Sequence, residues 1–136
     1  MIVPELINYT DWALLLLRII TGIIFLSSGW SHFTKPAERS ESIGMSKMFT
    51  FFLGLGELAG ALGIILGIFS QIAALILIIV MLGAIYKKIF VWKTGFYAEK
   101  GYGWHYDVIL LAANLVILTT GGGEFHTLSL IALSGI

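Results

Sequence analysis

Long apolar runs, each interrupted by only a few polar residues, dominate this chain of 136 residues. A helix needs roughly 20 apolar residues to cross the hydrocarbon core of a bilayer. Four runs come close to that length and cover residues 12–30, 49–69, 72–92 and 106–120. The fourth is the shortest, and the apolar tail that follows it is too short to span. We therefore predict one domain over residues 1–136, with an all-α fold that forms a transmembrane four-helix bundle.

Two other interpretations explain the apolar runs less well. A cleaved signal peptide would carry a basic region before the first run, and three further runs follow it here. Buried helices of a soluble protein would each show a polar face. Only 12% of the residues are charged, whereas about a quarter is usual in soluble domains. The expected surroundings are therefore a lipid bilayer.

Net charge and cysteine content exclude several kinds of function. The formal net charge is zero, so the composition gives no argument for binding nucleic acid. The sequence contains no cysteine, which excludes disulfides, thiolate metal sites and dithiol redox chemistry.

Basic and aromatic residues predict the orientation of the bundle. Lysine and arginine cluster between runs one and two and after run three, at Lys35, Arg39, Lys47, Lys87, Lys88, Lys93 and Lys100. The opposite side carries acidic residues, at Glu5, Asp11 and Glu124. Because basic loops stay in the cytoplasm, both termini are expected outside. The aromatic residues between runs three and four predict an interfacial belt, with an aromatic-walled pocket mouth as the alternative.

Glycines form a stripe along the second run. Gly56, Gly60, Gly63 and Gly67 recur at spacings of four, three and four, which places them on one helix face at about 100° per residue. Small residues let helices approach closely in lipid. We predict tight packing inside the bundle, and a homodimer face is the alternative.

Arg18 and Glu57 are ionisable residues inside apolar runs, where such residues are costly and are a functional hypothesis by default. From the rise of about 1.5 Å per residue, Glu57 and Asn114 lie roughly 12 Å from the cytoplasmic ends and Arg18 roughly 18 Å. We predict that Arg18 and Glu57 pair directly or share a buried structural network. In a second alternative, this network also binds a ligand or relays protons. The third alternative is no contact, with Arg18 reaching toward the outer surface.

Three further polar residues are candidates for that network. Asp107 lies seven residues before Asn114 and shares its helix face, and His32 and His105 lie near the cytoplasmic boundary. Two histidines on separate helices can ligate haem or a metal. No third ligand or characteristic spacing supports such a site here, so we expect neither a haem nor a metal.

The order of these motifs resembles the DoxX family of small membrane proteins. Four segments, in chain order, carry the resemblance: Leu17-Arg18-Ile19 through Gly29-Trp30-Ser31-His32, Gly56-Glu57-Leu58 through Ala73-Ala74, Met81 with Ala84, and Trp104-His105-Tyr106-Asp107 through Gly121-Gly122-Gly123. The family usually has an acidic residue where His105 stands. The resemblance implies a compact four-helix membrane bundle and a role near oxidoreductase chemistry, including thiosulfate:quinone oxidation. It also implies multi-pass insertion in a prokaryotic plasma (inner) membrane.

Two functions are compatible with these features. The first is a membrane subunit of a quinone-linked redox system that binds a lipophilic molecule near Glu57, Asn114 and His105. The second is a non-catalytic scaffold, or a path for a small solute or protons, organised by Arg18 and Glu57. No cofactor is evident from the residues, and a redox role would need a quinone, a haem or a partner; we favour a quinone over a haem. The sequence assigns no catalytic residue, and it leaves open a homo-oligomer or a redox-complex partner.

Overall fold

The computed structural model describes residues 1–127 as a bundle of α-helices with no β-strand among them. The helices are α1 (Thr10–Thr34), α2 (Pro36–Ile43), α3 (Lys47–Leu66), α4 (Ser70–Tyr86) and α5 (Trp104–Thr120). A 3-10 turn at Pro4–Tyr9 precedes α1, and a π-helical turn at Lys87–Val91 extends α4. The predicted all-α fold is confirmed. The apolar tail, which we expected not to span, lies outside the described residues.

Three of these helices are long and apolar enough to cross a membrane. They are α1 with its preceding turn (Pro4–Thr34), α3, and α4 with its π-helical turn (Ser70–Val91). The apolar helix α5 has 17 residues, or about 25 Å of helix, which is less than the roughly 30 Å of a hydrocarbon core. The predicted shortness of the fourth run is therefore seen in the structure.

Local sequence sets where the helices begin and end. Pro36 stands at the start of α2, a position where its missing amide is harmless, and the left-handed Gly44 ends that helix. The Ser46 side chain caps α3 by accepting a hydrogen bond from the Phe49 amide at 3.1 Å. Gly67, with φ of +72°, ends α3 because glycine adopts the left-handed conformation without strain. The short polar helix α2 was not predicted from the apolar pattern.

The four long helices pack as two pairs, α1 against α3 and α4 against α5, and contacts between α3 and α4 join the pairs. Residues 35–46 and 92–103 lie on one side of the bundle, which we call the basic side. Residues 67–69 and 121–127 lie on the opposite side. The buried apolar core comes from all four helices: Phe25, Ala61, Ile64, Ala73, Ala74, Leu77, Met81, Leu110 and Ile117.

Glycines allow α1 and α3 to touch backbone to backbone. A Cβ atom at Gly54 would lie 2.6 Å from the Phe33 amide nitrogen and 2.8 Å from the Gly29 carbonyl oxygen. One at Gly29 would lie 3.0 Å from the Cβ of Glu57. This crossing lies toward the basic side. The close approach of the two backbones brings the side chains of His32 in α1 and Glu57 in α3 together.

The predicted glycine stripe faces α4. A Cβ atom at Gly60 would lie 2.9 Å from the Leu77 side chain, and one at Gly63 would lie 2.7 Å from Ala73. Gly56 is on the same side but less crowded, with Ile76 as its nearest neighbour at 3.9 Å. The structure therefore places three of the four glycines in a contact inside the bundle, while Gly67 terminates the helix.

Candidate functional site

The structure buries five of the six predicted polar candidates. Exposed fractions are 1% for Arg18, 2% for Glu57, 5% for His32, 3% for Asp107 and 0% for Asn114. The sixth, His105, is half-buried. These residues do not form one network, because Arg18 lies toward the opposite side of the bundle from the rest of the ionisable candidates.

Arg18 donates hydrogen bonds to backbone carbonyl groups. Its Nε lies 2.7 Å from the Ile64 oxygen, and its Nη2 lies 3.2 Å from the Ile65 oxygen. Its Nη1 lies 3.2 Å from the Gly122 oxygen and also donates to the Phe125 oxygen. The predicted direct pairing of Arg18 with Glu57 is therefore wrong. The Arg18 side chain points away from the basic side, as in the alternative in which it reaches toward the outer surface. Its guanidinium group is nevertheless buried.

The position of Arg18 explains how the end of α3 is stabilised. The last four carbonyls of a helix lack partners within the helix, and their partial negative charge attracts cations. Arg18 satisfies two of these carbonyls. The Gly63 oxygen accepts from the Gly67 amide, and the Leu66 oxygen accepts from the Thr127 hydroxyl at 2.6 Å. All four carbonyls at this end of α3 therefore have donors.

Helix register accounts for the failed pairing. The sequence estimate ended the first helix at residue 30 and began the second at residue 49, whereas α1 continues to Thr34 and α3 begins at Lys47. In the antiparallel pair, the Arg18 side chain reaches the Ile64 carbonyl, whereas the His32 side chain reaches Glu57. Glu57 and Ile64 are seven residues apart, or about 11 Å along the helix. This distance separates the two charges.

Glu57 instead faces His32 on the basic side. Its Oε1 lies 3.2 Å from Nδ1 of the imidazole. On the other edge of the ring, Nε2 lies 3.2 Å from Nη2 of Arg39 in α2. Both ring nitrogens of His32 therefore face protein groups. We call the row Arg39, His32 and Glu57 the basic-side triad.

Five buried side-chain atoms among residues 1–127 make no hydrogen bond: Nδ1 of His32, Nε of Arg39, Oε2 of Glu57, Oδ2 of Asp107 and Oδ1 of Asn114. Nδ1 of His32 and Oδ2 of Asp107 still lie close to a charged partner, which leaves two oxygen atoms that face no cation or donor. One is Oε2 of Glu57, and the other is Oδ1 of Asn114, whose Nδ2 donates to the Leu110 oxygen at 2.9 Å. A buried acceptor without a donor costs roughly 1–3 kcal/mol. Because each oxygen can accept, both could be satisfied by a molecule that carries hydroxyl or N–H groups.

An ion pair joins the basic-side ends of α4 and α5. Nζ of Lys88, in the π-helical turn, is 2.7 Å from Oδ2 of Asp107 in the first turn of α5. Nζ also lies 5.6 Å from the ring centroid of Tyr106. The ring of Tyr106 therefore lies beside this ion pair.

His105 lies in an aromatic cluster and away from the triad contacts. Its Nδ1 is 2.6 Å from the Phe96 oxygen, and its ring packs against the rings of Phe96 and Tyr97 at 5.6 and 4.8 Å. The ring of Trp104 packs on Phe96 as well, at 4.6 Å. His105, in the first turn of α5, thus packs against the loop between α4 and α5, where the aromatic belt was predicted.

Sequence reasoning missed the contacts that three residues make on the basic side. Arg39 and Lys88 were counted only as loop charges, and Tyr106 only as part of the belt. The contact of Arg39 with His32 could not be predicted from the sequence, because it depends on the turn into α2, which the apolar pattern does not show. Lys88 could have been found, since a lysine and Asp107 at one end of neighbouring apolar helices suggest an ion pair.

Two shallow apolar grooves run between α3 and α4 on the surface of the bundle. Their volumes are about 300 and 290 Å³. Their lining includes Leu62, Phe69 and Ile72 in the first and Phe52, Gly56 and Ile79 in the second. Neither is lined by Glu57, Asn114 or His105, so the predicted ligand position does not coincide with either groove.

Comparison with known proteins gives one match. The sequence model of the family described as DoxX matches residues 13–92, which include Arg18, His32, Arg39, Glu57 and Lys88. No curated protein and no solved structure matches the chain. The match covers more than half of the chain.

Proposed function

The chain belongs to the DoxX family, and from this premise we propose that it is a membrane subunit of a quinone-linked redox system. It is an integral membrane protein with long apolar helices. In our proposal it crosses a prokaryotic inner membrane four times, with α5 as the fourth crossing. Lys35, Lys47 and Lys100 support a cytoplasmic position for the basic side, because basic loops remain in the cytoplasm.

The observation that carries the proposal is the unpartnered oxygen of Glu57. A reduced quinone carries two hydroxyl groups on an apolar ring, and each hydroxyl can donate a hydrogen bond. Glu57 Oε2 is a buried acceptor beside the imidazole of His32. A carboxylate next to a histidine suits the binding of a hydroxyl that later loses its proton.

Asn114 provides the second acceptor. Glu57 lies ten residues into α3 and Asn114 lies ten residues into α5. The two helices run in the same direction from the basic side, so the two oxygens are at similar depth. The buried core of the bundle is apolar and includes Phe25, Met81 and Leu110, which suits an aromatic headgroup.

Equilibrium binding of decylubiquinol to the purified full-length protein in nanodiscs tests the proposal. Saturable binding is expected, and Glu57→Gln should weaken it at least tenfold, because a hydrogen bond to a charged acceptor is worth about 1.5–3 kcal/mol. Glu38→Gln, on the exposed face of α2, is the matched control and should bind like the wild type. No saturable binding, or equal affinity for Glu57→Gln, would refute the proposal.

The alternative of a proton or solute path along Arg18 and Glu57 receives less support. The interior between the two residues is occupied by apolar side chains such as Phe25 and Ala61, with exposed fractions of 1% and 0%. Arg18 is also held by four carbonyl groups. A non-catalytic scaffold remains the competing hypothesis, and it predicts no saturable quinol binding in the same titration.

A further inference from the structure

The basic-side triad contains an arginine that the proposed ligand site does not require. Arg39 is half-buried in α2, and its Nη2 lies 3.2 Å from Nε2 of His32. The guanidinium group has only donors, so Nε2 must be the acceptor in this contact. A neutral imidazole whose Nε2 accepts carries its proton on Nδ1. That nitrogen is the one 3.2 Å from Oε1 of Glu57.

We propose that Arg39 is a positioning residue that holds His32 in the neutral tautomer with the proton on Nδ1. In this tautomer the imidazole presents its N–H edge to Glu57. Oε1 of Glu57 then lies 3.2 Å from the protonated nitrogen, a small side-chain rotation away from a hydrogen bond, while Oε2 stays available as an acceptor.

Charge balance supports this assignment. With Arg39 positive, His32 neutral and Glu57 negative, the triad has no net charge, which reduces the penalty for burying ions in a low-dielectric interior. A protonated His32 would place a second positive charge 3.2 Å from the guanidinium group and would turn Nε2 into a donor facing another donor. Such a contact is repulsive.

The fold supplies the placement of Arg39. Helix α1 ends at Thr34, and α2 starts two residues later at Pro36, so the chain turns back over the end of α1. This turn brings Arg39 to the ring of His32, seven residues earlier in the chain. Helix α2 also contacts α3, which carries Glu57. The short connection therefore fixes all three members of the triad in one place.

Nitrogen-15 NMR of ligand-free protein in nanodiscs, labelled at histidine, tests the tautomer directly. Subtracting the spectrum of His32→Asn assigns the His32 signals among the three histidines. We expect a protonated-type shift for Nδ1 and a bare-type shift for Nε2. The reverse pattern, or protonated-type shifts at both nitrogens, would overturn the proposal.

Variants of Arg39 distinguish a role in setting the His32 tautomer from a role in folding alone. Arg39→Gln offers both a donor and an acceptor, so the single tautomer should be lost to a mixture. Arg39→Lys offers only donors and should restore the wild-type pattern. Glu38→Gln in the same helix is the control and should leave it unchanged. A pure wild-type tautomer in Arg39→Gln would show that Arg39 does not fix the ring.

The effect on binding deepens the proposed function and rests on it. Decylubiquinol affinity should fall at least tenfold in Arg39→Gln and recover in Arg39→Lys. If the tautomer changes as expected but no protein form binds quinol, the role of Arg39 stands and the proposed ligand fails. If quinol binds and the tautomer does not respond to Arg39→Gln, the ligand proposal stands and the positioning role fails.

Discussion

Oε1 of Glu57 lies 3.2 Å from Nδ1 of His32, across the interface of α1 and α3. The contact sits where the two backbones approach most closely, next to Gly29 and Gly54. Both side chains are almost fully buried. A polar contact in such a place is sensitive to small changes in the distance between the helices, because neither partner can turn to water.

The His32–Glu57 contact should show strong energetic coupling. Glu57→Leu leaves the buried N–H of His32 without its acceptor, and a buried polar group without a partner costs about 1–3 kcal/mol. The double variant His32→Leu/Glu57→Leu should lose less than the sum of the two single variants, with a coupling energy of about 0.5–3 kcal/mol. Thermal unfolding of the detergent-purified proteins measures all three. Additive losses would contradict the contact.

Arg18 should stabilise the end of α3 by donating hydrogen bonds to its last carbonyls. Arg18→Met removes the donors of four carbonyls, and each buried acceptor without a donor costs roughly 1–3 kcal/mol. We expect a loss of at least about 3 kcal/mol in unfolding free energy and faster amide exchange near Ile68. Leu16→Met, on the exposed face of α1, is the matched control. Equal stability of the two variants would rule out this stabilising role of Arg18.

The helical fold could be predicted because its signal is local and repeated. Each long apolar run supplies its own evidence, and glycines such as Gly67 and Gly121 mark helix ends. The boundaries were less accurate by a few residues, since α1 continues through the polar segment up to Thr34. Helix α2 was missed because a short polar helix has no apolar stripe.

The sequence predicted which polar residues are buried in the candidate site, but not which of them contact each other. Burial of Arg18, Glu57 and Asn114 follows from polar residues placed inside apolar runs. Their pairing depends on the register between helices, and an error of a few residues at each end changes which side chains meet. Arg39 depends on the fold of α2, which the apolar pattern does not encode.

Two glycines in α3 should respond differently to alanine. In Gly54→Ala the new Cβ would lie 2.6 Å from the Phe33 amide nitrogen, and backbone cannot move aside as a side chain can. We expect a loss of about 1–3 kcal/mol, as in overpacked cores. Gly56→Ala meets only Ile76 at 3.9 Å and should be neutral or slightly stabilising, because alanine favours helix. Thermal unfolding distinguishes them, and equal effects would contradict the close crossing.

The ion pair of Lys88 and Asp107 should couple α4 to α5. Lys88→Met leaves the carboxylate of Asp107, 3% exposed, without its cation, and a loss of about 3–5 kcal/mol is expected. Adding Asp107→Asn should recover part of this loss, since the buried charge is then removed. Lys100→Met, in the exposed loop, should change stability by less than about 0.5 kcal/mol. A loss in Lys88→Met no larger than that control would argue against the pair.

Asn114 should show a trade-off between stability and ligand binding. Leucine has the same branched shape, so Asn114→Leu removes the unpartnered Oδ1 without a large change in packing. We expect a gain of about 1 kcal/mol in unfolding free energy, because a buried unsatisfied acceptor is lost, together with weaker decylubiquinol binding. Thr119→Val removes an exposed hydroxyl from the same helix and should leave the affinity unchanged. A stabilised Asn114→Leu that binds quinol like the wild type would remove Asn114 from the site, because its oxygen would then have no part in holding the ligand.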